Sequence, residues 1–133
     1  MTIKPENQFI TGVHKYVAPA VYRMKNNNAY TAGVPDVWYS GHKADVWVEY
    51  KFVQKLPTRD NTIIIPGLTP LQLEWLSARY NEGRTVLVVI GCKQGGVLLH
   101  EPAQWREGLS KAAFERNTIS RKEIAERITQ LCL

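Results

Sequence analysis

The sequence predicts an α/β fold, a mixed five-stranded sheet flanked by helices. Three observations predict it. Two capping signatures, Thr69-Pro70-Leu71-Gln72 and Ser120-Arg121-Lys122-Glu123, each open a helical pattern. Residues 45–53 and 85–90 read as strands, the first alternating and the second a β-branched apolar run. The order of elements is helix, three strands, helix, two strands, then helices, which suits helices layered on a sheet. A chain of 133 residues has room for one core, so we expect a single domain over 1–133, with its core at about 5–100 and a helical extension at about 103–133.

The elements follow in order. Pro5 suits a first helical position, and Phe9, Ile10, Val13, Tyr16 and Val17 recur at helical spacing until Pro19. Residues 20–25 alternate as a strand, and Asn26-Asn27-Asn28 reads as a turn. A strand over 34–39, a turn around Gly41 and a strand over 45–53 make a hairpin. Residues 54–67 form a long connection holding Ile63-Ile64-Ile65, an apolar run with no helical or hairpin partner. The helix opened by Thr69 continues through Leu76 and Tyr80 and stops at Gly83, with Leu68 and Leu73 placed as its hydrophobic staple. Residues 96–100 give a last strand. Ser120 opens the final helix, whose apolar stripe runs through Ile124, Ile128 and Leu131.

Composition bounds the function. The apolar fraction of 44% and charged fraction of 22% are those of a globular chain. No window is long and apolar enough for a membrane span, and the first residues lack a secretory pattern, so a cytoplasmic protein is expected. Cys92 and Cys132 have neither a CxxC nor a His-rich metal spacing, and read as free thiols. The net charge of +5 suits a polyanionic partner, although the basic residues are dispersed and only the fold could gather them.

The charged positions of the hairpin carry the chemistry. Glu49 and Lys51 lie two apart and share a strand face with Trp47, while Val46, Val48, Tyr50 and Phe52 share the other. A symmetric hairpin centred between His42 and Lys43 sets Asp36 opposite Glu49, with Cβ atoms roughly 5 Å apart. Two carboxylates at that distance repel, and one protonates unless a cation lies between them. Mg²⁺, a hard cation with oxygen ligands and retained waters, would serve. Lys51 would then stand beside it, to activate an attacking water or hold charge on a phosphate. A plainer account is a solvent-facing hairpin in which Lys51 pairs with either acid.

Gly33-Val34-Pro35-Asp36 followed by Glu49-Tyr50-Lys51 resembles the signature of the PD-(D/E)xK nuclease superfamily. Glu6 lies in a helix before the first strand, where several branches carry a further metal-binding acid. Gln72 opens the helix after the hairpin, as in the virus-type replication-repair nuclease (VRR-NUC) branch and related Holliday junction resolvases. The resemblance covers about three-quarters of the chain and leaves the helices from Ala103 onward unexplained. It implies a restriction-endonuclease-like sheet and Mg²⁺- or Mn²⁺-dependent cleavage of phosphodiester bonds, with a homodimer acting on branched DNA in repair and recombination. It also implies Asp36, Glu49, Lys51 and Gln72 as catalytic residues, with Glu6, Asp36 and Glu49 on the metal.

Each position has a simpler alternative. Glu6 also suits the dipole of a first helical turn, and Gln72 is accounted for by the capping box. Lys55 and Arg59, just past the charged strand, are candidate DNA contacts, though exposed basic residues need no special role. His14, His42 and His100 are scattered and form no zinc pattern. A nucleic-acid-binding module that keeps the fold without chemistry is the alternative function, and an enzyme cutting RNA a third.

Overall fold

The structure, a computed structural model, describes residues 4–26 and 32–133. Its elements are α1 (Pro5–His14), β1 (Tyr22–Lys25), β2 (Val37–Ser40), β3 (Asp45–Phe52), β4 (Ile63–Ile64), α2 (Pro70–Asn81), β5 (Thr85–Cys92), β6 (Gly95–Leu99), α3 (Pro102–Glu107), β7 (Leu109–Ser110), α4 (Lys111–Asn117) and α5 (Arg121–Cys132). Five strands form the predicted mixed sheet in the order β1-β2-β3-β5-β6. Only β3 and β5 run parallel within it, and α2 lies on the crossover between them. Asn27 and Asn28 of the expected turn lie outside the described residues.

Strand alternation sends side chains to two cores. Val46, Val48 and Tyr50 of β3 and Leu87 and Val89 of β5 meet α1 and α5 on one face. On the other, Val86, Val88 and Ile90 meet Leu76 of α2, together with Trp105 and Phe114. The helices past Ala103 are therefore part of both packing layers. Val13, Ile124 and Ile128 are fully buried together beneath the sheet. Cys92 and Cys132 are free and buried. No helix among the described residues is long and apolar enough to cross a membrane.

Local chemistry accounts for the element ends. Thr69 caps α2 by accepting from Gln72 N at 3.1 Å, and Gln72 Oε1 accepts from Thr69 N at 3.0 Å, completing the expected capping box. Gly83 follows that helix at φ 83°, a left-handed conformation that costs glycine least. The strand expected over 34–39 begins only at Val37. Pro35 has no N–H for a ladder, and the Asp36 carboxylate instead accepts from Tyr50 N at 2.8 Å.

The apolar run in the long connection needs correcting. Ile63-Ile64-Ile65, read from the sequence as lacking a partner, is paired: β4 runs antiparallel with β7, Ile63 opposite Ser110 and Ile64 opposite Leu109. Ile64 is 6% exposed and packs into the α2-side core, while Ile63 and Ile65 remain 53% and 56% exposed. We expect Ile64→Asp to destabilise the fold by more than about 3 kcal/mol, because a lone carboxylate would enter an apolar core. Ile63→Asp should cost less than about 1 kcal/mol. Urea denaturation of both variants checks the assignment, and equal losses would contradict the inward placement of Ile64.

Candidate active site

The hairpin register places the acids. Val37 opposes Val48 and Trp38 opposes Trp47, so the pairing extended by one residue brings Asp36 opposite Glu49, the predicted arrangement. Aromatic contacts support that register. The Trp38 and Trp47 rings stack at 5.9 Å, and Trp75 of α2 meets Trp47 edge-on at 5.3 Å. Glu49, on the face that α2 covers, is 3% exposed.

Gln72 is the hub of the site. Its Nε2 donates to Glu49 Oε2 at 3.1 Å, and its Oε1 accepts from Lys51 Nζ at 3.2 Å as well as from Thr69 N. Lys51 Nζ stands 3.6 Å from Glu49 Oε2. The capping and site readings of Gln72 are thus compatible in one side chain. The donors around Oε1 fix which end of the amide faces the carboxylate. Gln72 touches both the acid and the lysine, so it can hold the two side chains in place.

The charges are crowded. Burial, then the Asp36 carboxylate beside it, pushes the Glu49 carboxyl up to about 8, against the pull of Lys51. Burial also raises Glu6, as does Asp36, while Lys51, Lys25 and Lys4 pull it down. Glu6 therefore lies in the field of Asp36, Glu49 and Lys51. Even so, no group of three His, Cys, Asp or Glu is drawn together as a metal cage among the described residues. Asp36 and Glu49 alone still fit Mg²⁺, which is commonly held by one or two carboxylates and keeps several waters. Two carboxylates brought together in a half-closed site are the hard oxygen donors that such a cation takes.

Beneath the site, Tyr50 Oη meets Tyr39 Oη at 2.6 Å, and Tyr39 Oη meets His14 Nε2 at 2.7 Å. Burial lowers His14 to about 4, with Arg23 and Lys25 adding to the shift, so the ring is neutral at physiological pH. Lys25 Nζ donates to Asn7 Oδ1 at 2.5 Å, which ties β1 to α1 beside Glu6. Nothing local in the sequence signals that contact, since it joins a strand to a helix on tertiary packing alone. Lys55 lines a cleft beside the site with Pro5, Lys93 and Arg121. Arg59 lies in an exposed turn, its carbonyl accepting from Thr62 N at 3.2 Å.

No protein-family model matches the sequence, and no curated protein matches it. Among solved structures, the chain is similar to Hjc, a Holliday junction resolvase from Archaeoglobus fulgidus, an archaeal hyperthermophile. The TM-score is 0.56 over 92% of this chain and 97% of that one, at 11% sequence identity. A match of that extent runs past Ala103 into the C-terminal helices, further than the sequence resemblance reached. The chain has the α/β fold of this resolvase.

Proposed function

We propose that the protein is a divalent-metal-dependent endonuclease that hydrolyses phosphodiester bonds in DNA, with four-way junctions as its substrate class. The observation that carries this reading is the pairing of buried Glu49 with Asp36, Lys51 standing 3.6 Å from the buried acid. A module that only binds phosphates gains nothing from an acid pair, which repels them. The shared fold with a Holliday junction resolvase supports the junction reading. The VRR-NUC branch has Gln72 in its favour, through its place in the first turn of α2.

Asp36 and Glu49 would hold Mg²⁺ or Mn²⁺, with Glu6 contributing directly or through water. When bound, the metal would supply positive charge against the negative charge that builds up on the phosphoryl and leaving oxygens, and a more acidic water. The Tyr50 N–H fixes one Asp36 oxygen, so the other can face the cation. Gln72 holds Glu49 and Lys51 together, and the remaining Lys51 N–H groups point charge at a phosphate oxygen or the attacking water. Resolving a junction needs two cuts, and a homodimer presents two sites to two strands.

Lys51→Ala should lower cleavage by on the order of 10²–10³-fold and leave folding and DNA affinity nearly unchanged. Gel assays on junction and duplex substrates with Mg²⁺ check it. Near-wild-type cleavage would remove Lys51 from the chemistry.

Without metal, folded Glu49 keeps its proton up to about pH 8, whereas the unfolded chain releases it near 4.5. The folded state therefore binds the extra proton between those values. The stability Glu49 contributes is full below 4.5 and is lost as pH rises toward 8. Glu49→Gln should flatten that slope. Mg²⁺ competes with the same proton, so its stabilisation of the wild type should grow with pH, reaching about 1.4 kcal/mol at ten times its Kd. Melting scans at pH 6 and 8 test both, and a Glu49→Gln variant stabilised by Mg²⁺ like the wild type would contradict the assignment.

For assembly, we expect light scattering at micromolar concentration to give twice the monomer mass. A monomer that still makes paired, simultaneous cuts would overturn the dimer.

A further inference from the structure

We propose that the cleft beside the acid pair, between α1 and the start of α5, binds backbone phosphates of the strand the acids address. This rests on the nuclease reading of the acid site. The cleft is about 550 Å³ in volume, and Gln8, Phe52, Lys55, Lys93 and Arg121 are among its lining residues. Its three cations come from the connection after β3, the β5–β6 turn and the first turn of α5. No carboxylate lines it, and none of the three cations makes an ion pair among the described residues. A cavity gathering positive charge from three distant parts of the chain, uncompensated, is suited to a polyanion.

Arg121 is placed for this and not loosely solvated. Its guanidinium lies 4.9 Å from the Phe9 ring centroid, and it donates to Lys93 O at 3.3 Å and to Cys92 O at 3.5 Å. Two of its five N–H groups are thus engaged, and the rest can meet a phosphate bidentately. Gly12 makes that placement possible. A Cβ there would stand 2.8 Å from Arg121 Cδ, so a side chain on α1 would push the arginine aside. Glycine inside a helix weakens it, and at this position it clears the path for the arginine stem.

Two elements run from the cleft to residues of the acid site. Pro5 borders it while Glu6, the next residue, lies in the field of Asp36. Phe52 borders it one residue after Lys51. A strand whose scissile phosphate lies at the acids passes over the end of β3 into this basic cleft. Lys55 of the sequence-predicted DNA contacts thereby acquires two partners, and Arg59 does not share in them.

Fluorescence anisotropy of a labelled four-way junction in EDTA, across 50–300 mM KCl, tests the proposal without cutting the DNA. Each lost phosphate contact should reduce the salt slope by about 0.9, so Lys55→Ala/Lys93→Ala should make it about 1.8 less negative. Lys43→Ala/Arg106→Ala removes the same charge from exposed positions outside the cleft and should leave the slope near wild type. Equal changes in both pairs, or none in the cleft pair, would overturn the cleft while wild-type cleavage with Mg²⁺ leaves the acid site standing. A wild type that neither binds nor cuts any DNA would overturn the nuclease reading itself, and the cleft with it.

Discussion

The placement of one buried carboxylate organises this structure. Glu49 is in the middle of the sheet and almost fully covered, where an ionised side chain without partners would be strongly unfavourable. Its surroundings answer that constraint from several directions. Gln72 donates to it and Lys51 faces it, while Asp36 across the hairpin adds a second negative charge that favours the protonated form. The parallel pairing of β3 with β5 requires a crossover, and that crossover brings the first turn of α2, with Gln72, against Glu49. On the opposite face Tyr50 anchors the same strand to Tyr39, and its N–H holds Asp36. The strand is thus fixed on both sides at the residue between the acid and the lysine.

The parts of this site legible in the sequence are the ones governed by local periodicity. The two-residue alternation of β3 separates Glu49 and Lys51 from the core residues, and a symmetric turn between His42 and Lys43 fixes which residues face each other. The capping box announces α2 from four consecutive residues. The β4–β7 pairing was not legible, because two strands of two residues carry no period and their partners lie far apart in the chain. Lys55, Lys93 and Arg121 likewise meet only through the tertiary fold. Glu6 is intermediate. Its helix was predictable, but its electrostatic coupling to Asp36 depends on how α1 packs on the sheet.

Similarity to a resolvase at 11% identity bears on the sheet and not on the acids. A mixed sheet between helices is specified by which positions are apolar, and many sequences satisfy that pattern. The chemistry is argued from Asp36, Glu49, Lys51 and Gln72 themselves. Their contacts form one connected set, in which each polar atom engaged on Gln72 serves the helix cap or the acid–lysine pair.

The two helices whose first turns carry site residues also shape the field there. α1 begins without a capping side chain and places Glu6 in its first turn, while α2 spends its cap on the residue that holds Glu49. Helix N-termini favour negative charge, which eases the crowding of three carboxylates and suits an approaching phosphate. The acids alone would repel that phosphate. Lys51, the helix ends and the proposed basic cleft beyond Phe52 would supply the opposing attraction, and a divalent cation between Asp36 and Glu49 would reverse the sign at the centre. Under the proposed function, substrate and cation would each favour the other's presence at the acids, and burial beside Asp36 raises the Glu49 carboxyl in the same place.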